Sequence, residues 1–316
     1  MSLCNIYHFH IDPKPARFSF FDIGKKKNYL KTPARVSSSE LSLFKKLEKN
    51  PKKEVSCYFS GTFLNSLAHN KDQLELIKDL VQNEQVELLG GTFHHSFSSL
   101  FSAKLFSKEV ENHTRLLTTF FGKKPKGFIN TIGIFSNDLI APLTKIGFKF
   151  SIVPKIKWFQ GPHDDVQVFN SKSSQIKLLL MEAKTSSSEN PMVVYADKFD
   201  RTPSAVSDPL KSCSKLVEES SESPTYSLPN LVALDPSGKD LTYFFGNSLQ
   251  KQIFKTLSEL APRIIKIDDE EITETFLRLS APFHFTKMNQ SQDNDIRYQH
   301  YTWLINCLTD LELKLE

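Results

Sequence analysis

The stretch GFINTIGIFSNDLIAPLTKIGFKFSIV, residues 127–153, decides the fold. Its two ends, GFINT and FKFSIV, are short apolar runs typical of buried strands, and SNDLIAPLTKIG between them has helical spacing from Ser136 onward. A strand, a helix and a strand in this order predict a βαβ unit in a parallel sheet. The corner before the helix is where α/β enzymes carry reactive side chains, yet this chain places Ile132 and further apolar residues there.

The same alternation of strand and helix continues on both sides of this stretch. Helical patterns lie in SSSELSLFKKLEKN, which we interpret as capped by serine, in KDQLELIKDLVQN and in SKEVENHTRLLTTFFG. The candidate strands are LCNIYHFH, EVSCYF, VELLG, GFINT, FKFSIV, IKLLLM and MVVYA. Seven strands that alternate with helices predict a barrel rather than a short open sheet.

The last third of the chain has a different pattern. Residues 202–236 are rich in Ser, Pro, Glu and Lys without a sustained period, which predicts a loop-rich connection over the surface. The segments that follow show helical spacing and no strand signal, so we expect a small helical unit packed on the barrel.

Composition excludes several classes of protein. With 11 glycines and neither G-x-G-x-x-G nor G-x-x-x-x-G-K-[ST], a glycine-loop nucleotide site is not expected. The lysine runs are short, so we expect solvated loops rather than a nucleic-acid surface. No apolar segment is long enough to span a bilayer, which needs about 20 residues. Without a signal-peptide pattern, four scattered cysteines predict reduced thiols in a cytoplasmic protein.

Histidines follow two of the predicted strands. His8 and His10 share one face of the first strand and Asp12 follows them, while GGTFHHS presents His94 and His95 after VELLG. Such residues at a barrel mouth could form the metal centre of a deacetylase or hydrolase, line a sugar-type cleft, or serve structure alone. The spacing is not diagnostic; we favour the cleft and predict no metal.

Several runs together resemble the α-amylase-like branch of glycoside hydrolase family 57. In the family's order they are NIYHFHIDPKPARFSFFDIGKKKNYL, EVSCYFSGTFLNSL, VELLGGTFHHSFSSLFS, FINTIGIFSNDLIAPLTKIGFK, MVVYADKF, LTYFFGNSLQKQIF, RLSAPFHFTKM and LINCLTDLELKL. The resemblance implies an α/β fold, an incomplete (β/α)7 TIM-like barrel followed by a C-terminal helical bundle. We assign residues 1–236 to the barrel and 237–316 to the helices, expect no cofactor, and leave the oligomeric state open.

The resemblance also implies where catalytic carboxylates would lie. A retaining glycosidase needs two of them about 5 Å apart. The family's Glu, in a segment like RNTELIYSND, falls on Ile132, and its Asp, in a segment like FMDYETFG, falls on Tyr195. A local slip cannot restore the Glu, because residues 112–181 contain none. Asp197 follows Tyr195 on the same strand face but is displaced by roughly 6–7 Å.

Other positions of the family's motifs are partly kept. His10, His95 and His284 match its histidines, although Phe283 replaces an Asp and the residues after His10 differ. Trp158 falls in an aromatic-rich loop and either stacks on a sugar or lies in the core. These four matching positions are the predicted substrate-binding residues.

Three functions remain in competition at this point. The favoured one is a catalytically inactive family member that binds an α-glucan or oligosaccharide, or regulates carbohydrate metabolism. The alternative is an active enzyme, either a glycosidase using Asp197 or Asp200 with Asp12, or a metal-dependent deacetylase using the histidines at 8, 10, 94 and 95. The third is an interaction scaffold without affinity for sugar.

Overall fold

The computed structural model describes most of the chain. Its described residues are 4–25, 27–31, 36, 41–155, 168–172, 176–183, 193–196, 211–220, 223–228, 230–233 and 241–316, with 182–183 and 193–196 described by their backbone. The predicted positions Trp158, Asp197 and Asp200 lie outside this set.

The described residues form eleven strands. They are β1 (Cys4–Phe9), β2 (Lys14–Pro15), β3 (Leu30–Lys31), β4 (Val55–Phe59), β5 (Val86–Gly90), β6 (Gly127–Ile129), β7 (Phe150–Pro154), β8 (Val168–Ser171), β9 (Lys177–Ala183), β10 (Val193–Ala196) and β11 (Thr225–Tyr226). Nine of them make one sheet in the order β10-β1-β4-β5-β6-β7-β9-β8-β11, and β2 pairs with β3 separately.

Helices connect and cover these strands. In the described part of the chain they are α1 (Ser42–Glu48), α2 (Gly61–Leu67), α3 (Lys71–Gln82), α4 (Ser98–Phe101), α5 (Ala103–Phe121), α6 (Ile140–Ile146), α7 (Cys213–Glu219), α8 (Thr242–Phe245), α9 (Ser248–Ile267), α10 (Glu270–Leu279), α11 (Pro282–Lys287) and α12 (Asn294–Leu313). Short 3-10 turns occupy Phe20–Asp22, Thr131–Gly133 and Asn137–Leu139.

The large sheet is mostly parallel and curled. From β10 through β1 and onward to β9 every neighbouring pair is parallel, whereas β8 runs antiparallel to β9. The last residues of β9 also pair with β10, through Glu182 with Val194 and Ala183 with Tyr195. The predicted α/β fold with a mostly parallel sheet is therefore confirmed.

Apolar periodicity and capping explain the helices around the sheet. Helix α3 starts at Asn70, whose side chain accepts a hydrogen bond from the Gln73 N–H, and it buries Leu74, Ile77 and Leu80 at helical spacing. Helix α5 runs from the Ser102 cap to Gly122. Because α5 follows the β5 loop after only the short helix α4, its buried face carries side chains to the end of the sheet.

Two local expectations from sequence are wrong. The helix in SSSELSLFKKLEKN begins at Ser42 after Leu41 and has no side-chain cap. The region 202–236, expected as loop, contains α7 and β11 among its described residues. The start of α7 is fixed because the Cys213 N–H donates to Ser56 Oγ at 2.9 Å, and β11 is fixed by parallel pairing with β8.

The C-terminal helices pack on the loops that follow β1 and β5. The Phe97 N–H donates to the Ser280 carbonyl at 3.1 Å, and Trp303 Nε1 donates to the Ala16 carbonyl at 2.9 Å. Among the described residues no strand follows Tyr226, and no helix is long and apolar enough to cross a membrane. The predicted boundary at residues 236–237 lies outside the described residues.

Candidate functional site

Three histidine rings meet where β1, β4 and β5 end. The His8 and His95 ring centroids are 4.5 Å apart, those of His10 and His95 are 4.7 Å apart, and His8 stacks on Tyr58 at 4.7 Å. His10 continues outward with its Nε2 3.1 Å from Asp12 Oδ1 and its Nδ1 3.0 Å from Ser60 Oγ. The predicted residues His10 and His95 therefore lie together.

A buried glutamate on α5 shapes the loop after β5. Glu109 accepts hydrogen bonds from the His94 N–H at 2.8 Å and from the hydroxyls of Ser96 and Ser98 at 2.6 Å each. Within this loop His95 has φ of +54°, a left-handed conformation that is uncommon for a residue with a side chain. The three hydrogen bonds to Glu109 explain how the loop keeps that shape.

Burial controls the charge of these groups. Desolvation, together with His8 and His10 nearby, holds the pKa of His95 well below its ordinary value, and desolvation lowers the pKa of His94 to about 3. Desolvation also raises the pKa of Glu109, although its three hydrogen bonds oppose the shift. The two histidines of the loop are therefore neutral at pH 7.

Hydroxyl groups join the ends of β4, β5 and β6. The Tyr58 hydroxyl donates to the Thr92 carbonyl, and Thr92 Oγ1 lies 2.7 Å from Thr131 Oγ1. Gly91 is required for this close packing, since an added Cβ would lie 2.2 Å from the Tyr58 ring. The loop after β5 and the corner after β6 are thus fixed to each other.

His113 on α5 hydrogen-bonds to the backbone at the ends of β4 and β5. Its Nδ1 accepts a hydrogen bond from the Gly91 N–H at 3.1 Å, so its Nε2 carries the proton and donates to the Phe59 carbonyl at 2.6 Å. The ring is buried, and desolvation lowers its pKa to about 4. A neutral His113 therefore connects β4 and β5.

The corner after β6 contains Ile132. Its backbone has φ of +45° and ψ of 29°, a conformation that is an outlier for a β-branched residue. Ile132 is partly exposed, between the buried Thr131 and Gly133. No carboxylate occupies this position, so the side chain can offer only apolar contact.

Asn130 holds the corner in shape. Its Oδ1 accepts from the Thr131 N–H at 2.9 Å, and its Nδ2 donates to the Ile134 carbonyl at 3.0 Å and to Ser99 Oγ at 3.1 Å. On the far side Phe135 is fully buried and forms an antiparallel bridge with Val232. The turn is therefore built as a rigid feature around Ile132.

The two remaining predicted residues that the structure describes fall in different places. Tyr195 lies on β10 with its backbone beside Ile6 of β1, and its side chain is outside the described set. His284 lies on α11, where its Nδ1 is 3.1 Å from His300 Nε2 and its ring stacks on Trp303 at 5.5 Å. Its described ring contacts do not include His10 or His95.

Residues that sequence reasoning missed provide much of the framework. Glu109, His113 and Tyr58 carry the hydrogen bonds described above, but each lies within an ordinary helix or strand pattern. The left-handed backbone at His95 and Ile132 was not predicted from the sequence either, because glycine and asparagine are the residues that usually mark such positions. Both strained residues occupy positions that the family resemblance had selected.

The histidine cluster does not have the grouping of a metal site in the part of the chain that the structure describes. Within the described ranges no three His, Cys, Asp or Glu side chains are grouped so that they could hold an ion. His94 and His95 are adjacent in sequence, yet only the His95 ring contacts the rings of His8 and His10. The geometry instead provides hydrogen-bonding imidazole rings beside apolar surface, which suits hydroxyl-bearing ligands.

Comparison with known proteins provides a family. Residues 8–220 match the model described as Glycosyl hydrolase family 57. A Methanocaldococcus jannaschii protein provisionally named as an α-amylase is 32% identical over 135 residues, which cover 42% of this chain and 29% of the relative. The match thus spans less than a third of that relative's length.

Solved structures share the fold at low identity. A 4-α-glucanotransferase from Thermococcus litoralis has a TM-score of 0.65 at 13% identity, covering 88% of this chain and 53% of its own. A branching enzyme from Thermococcus kodakaraensis has a TM-score of 0.65 at 11% identity, covering 97% and 88%. An α-amylase from Thermotoga maritima has a TM-score of 0.61 at 7% identity, covering 99% and 93%.

Proposed function

The chain belongs to glycosyl hydrolase family 57, and from this premise we propose that it binds an α-glucan or oligosaccharide at the ends of β1, β4, β5 and β6 without cleaving it by the family's retaining mechanism. Its role is then one of binding or regulation in carbohydrate metabolism. The glucanotransferase, branching enzyme and amylase among its structural neighbours support α-glucan as the ligand class.

The observation that carries the proposal is Ile132 at the corner after β6. A retaining mechanism needs a carboxylate to form the covalent intermediate, and an isoleucine cannot attack carbon. The left-handed backbone at this position costs an isoleucine about 1–2 kcal/mol. Strain of this kind is typical of functional sites, so the corner has the geometry of a reactive position without its reactive group.

The neighbouring residues supply the binding surface in this proposal. His10 and His95 present their rings at the strand ends, and Tyr58, Thr92 and Thr131 connect these ends to the corner that contains Ile132. A sugar ring needs hydroxyl partners and an apolar face. His284 and Trp158 remain proposed sugar contacts.

Isothermal titration calorimetry with maltooligosaccharides tests binding, and product analysis of the same mixtures tests turnover. We expect binding in the micromolar to millimolar range and no hydrolysis or transfer. His95→Phe should weaken binding at least fivefold, because one hydrogen bond to a neutral group contributes about 1 kcal/mol. Absence of heat at millimolar sugar would refute glucan binding.

Restoring two carboxylates tests the assignment of the catalytic positions. The variant Ile132→Glu with Tyr195→Asp should show measurable hydrolysis or transfer if both side chains reach the scissile bond. Ile132→Gln with Tyr195→Asn is the matched control, since it has the same shape without charge. Activity in the control, or in the wild type, would contradict the proposed roles.

A second candidate is an active enzyme with relocated carboxylates. Asp12 favours it, because its carboxylate is half-exposed and lies 3.1 Å from His10 Nε2. Turnover of α-glucan by the wild type, lost in Asp197→Asn or Asp12→Asn, would establish this alternative. Hydrolysis of an acetylated sugar that requires added zinc would instead favour the deacetylase.

We also interpret the curled sheet as an incomplete (β/α)7 TIM-like barrel in a cytoplasmic protein, with the barrel in residues 1–236 and a helical bundle in 237–316. The pairing of β10 with both β1 and β9 supports this interpretation. Limited proteolysis tests the boundary: initial cleavage within 234–240 agrees with it, and initial cleavage elsewhere contradicts it.

A further inference from the structure

Two buried cysteines lie in contact at the amino ends of the parallel strands. Cys4 is the first residue of β1 and Cys213 is the first residue of α7, and their Sγ atoms are 3.1 Å apart. Both side chains are fully buried, and both thiols are free. Because His8 and His10 lie at the other end of β1, the cysteine pair is separate from the histidine cluster.

The separation of the two sulfur atoms is close to that of a covalent bond. A disulfide has an S–S length of about 2.05 Å, so the Sγ atoms of Cys4 and Cys213 need to approach each other by only about 1 Å. Small rotations of the two side chains can supply this movement. The pair is therefore a candidate for a disulfide bond, although the two residues are 209 positions apart in the sequence.

Hydrogen bonds fix Cys213 beside Cys4. The Cys213 N–H donates to Ser56 Oγ at 2.9 Å, and the same Oγ lies 3.8 Å from Cys4 Sγ. Ser56 Oγ donates to Glu87 Oε2 at 2.6 Å, and the Glu87 carboxylate also accepts from the Ser214 N–H at 3.2 Å. The start of α7 is thus joined to β4 and β5, and the contact between the two sulfurs belongs to a fixed arrangement.

The other two cysteines lie in different surroundings. Cys57 follows Ser56 on β4, so its side chain points to the opposite face of the sheet, and it packs in another apolar cluster. Cys307 lies on α12 and packs among the C-terminal helices. Cys4 and Cys213 alone share one cluster, so the structure selects a single pair of the four cysteines.

Burial protects the pair from oxidation in the closed structure. Burial raises the pKa of the Cys213 thiol well above its ordinary value, and the hydrogen bond with Cys4 adds to the shift. The thiolate is the form that attacks a disulfide. Helix α7 has only seven residues, and local opening of such a short element exposes Cys213 at a lower free energy than global unfolding. We therefore expect oxidation to be slow and to proceed through opening of α7.

We propose that Cys4 and Cys213 form a disulfide bond in the presence of an oxidising low-molecular-weight disulfide such as oxidised glutathione, and that the bond locks α7 onto the start of β1. The Cys213 thiol gives up its proton and attacks one sulfur of the oxidant, which releases one low-molecular-weight thiol. Cys4 then gives up its proton and attacks Cys213 Sγ, which releases the second. Two protein thiols are oxidised, and one disulfide is reduced to two thiols that take up the two protons.

The bond acts on the closure of the sheet. Cys4 pairs with Val193 of β10, and α7 is the next described helix after β10. A disulfide stabilises mainly by restricting the unfolded chain, and the restriction grows with the length of the enclosed loop. Oxidation should therefore raise the Tm of the protein by about 5 °C. This lock goes beyond the proposed function and does not require sugar binding.

The test incubates the full chain with oxidised glutathione, with and without a low concentration of urea that promotes local opening. Thiol titration after denaturation counts the free cysteines, and peptide mass mapping without reduction identifies the bond. We expect the four free thiols to fall to two, with Cys4 linked to Cys213 and with Cys57 and Cys307 free. Dithiothreitol should restore all four thiols and reverse the rise in Tm.

Four single variants provide the controls. Cys4→Ala and Cys213→Ala each remove one partner, so neither should form an intramolecular bond or gain in Tm, and either variant decides the test if the other fails to fold. Cys57→Ala and Cys307→Ala are the matched controls, because each removes a buried cysteine outside the pair, and both should form the bond as the wild type does. A mass map that lacks the bond between Cys4 and Cys213, or contains other pairings in equal amount, overturns the proposal. An unchanged Tm in the oxidised wild type also overturns it.

Discussion

The two strand ends after β5 and β6 are neighbours with opposite contents. Each holds a residue with a side chain in the left-handed region, His95 at φ +54° and Ile132 at +45°. The first corner is lined with polar groups, and the second presents an isoleucine. The difference teaches that two neighbouring corners can share a backbone conformation while presenting side chains of opposite character.

The two corners are also held by different kinds of side chain. Glu109 holds the first with three hydrogen bonds of 2.6–2.8 Å, and Asn130 holds the second with three of 2.9–3.1 Å. Burying a carboxyl group costs more than burying an amide unless all of its partners are kept. Removing the side chain that holds the first corner should therefore lower the free energy of unfolding more than removing the one that holds the second.

Removing Glu109 is the most severe test of the comparison. In Glu109→Ala the His94 N–H and two serine hydroxyls lose their acceptor, so we expect the free energy of unfolding to fall by about 3–5 kcal/mol. Urea denaturation measures the loss. Glu109→Gln keeps one acceptor oxygen, so its free energy of unfolding should fall by less than half as much. Equal losses in the two variants would mean that Glu109 contributes packing rather than hydrogen bonding.

Acidification should weaken the first corner through His113. Its pKa is about 4 in the folded chain against roughly 6.5 when unfolded, so the unfolded state binds more protons between these values. Stability from this group is present above pH 6.5 and is lost as pH falls toward 4, by about 3 kcal/mol at pH 4. Urea denaturation at several pH values measures it.

The matched variant for that prediction is His113→Gln, which has no titrating ring. The raised pKa of Glu109 contributes in the opposite sense and is common to both proteins. The difference in pH dependence between wild type and variant therefore isolates His113. Parallel stability curves from pH 7 to pH 4 would show that the pKa of His113 is the same in the folded and unfolded states.

Removing Asn130 tests the second corner. In Asn130→Ala the Thr131 N–H and the Ile134 carbonyl lose their partners, and we expect a loss of about 2 kcal/mol in the free energy of unfolding. Asn130→Asp keeps the acceptor for Thr131 but turns a buried carboxylate oxygen toward the Ile134 carbonyl, so at pH 7 it should lose at least as much as Asn130→Ala. A loss in Asn130→Ala above that of Glu109→Ala would reverse the ranking of the two corners.

Much of the fold was predictable from sequence because most strands and helices of the central sheet carry a local signal. The run from Gly127 to Val153 shows apolar strand patterns around a helix, and it forms β6, α6 and β7. Helix α7 was missed, because its position depends on Cys213 packing beside Cys4 at a sequence separation of 209 residues. No pattern within a short window carries that contact.

The site was predictable only in part, for a similar reason. His8, His10 and His95 were singled out by alternation on β1 and by the run GGTFHHS, and their rings meet. Glu109 was not singled out, because in the sequence it is one of several polar residues of α5. Its burial depends on the loop after β5 folding over it. The positive φ of Ile132 is a tertiary effect, imposed by Asn130 and the buried Phe135 on a residue that disfavours it.

The smallest expected effect concerns Ile132 itself. If the surrounding corner imposes the left-handed backbone, asparagine should adopt it at lower cost, so Ile132→Asn should leave the free energy of unfolding unchanged or raise it by up to about 1 kcal/mol. Ile134 is the matched control, because it is also isoleucine but is 1% exposed with φ of −55°; Ile134→Asn should cost about 3 kcal/mol or more. Thermal and urea denaturation compare the two. Equal losses would show that Ile132 is an ordinary core residue, and the contrast between the two strand ends would then be one of packing rather than of a vacated catalytic position.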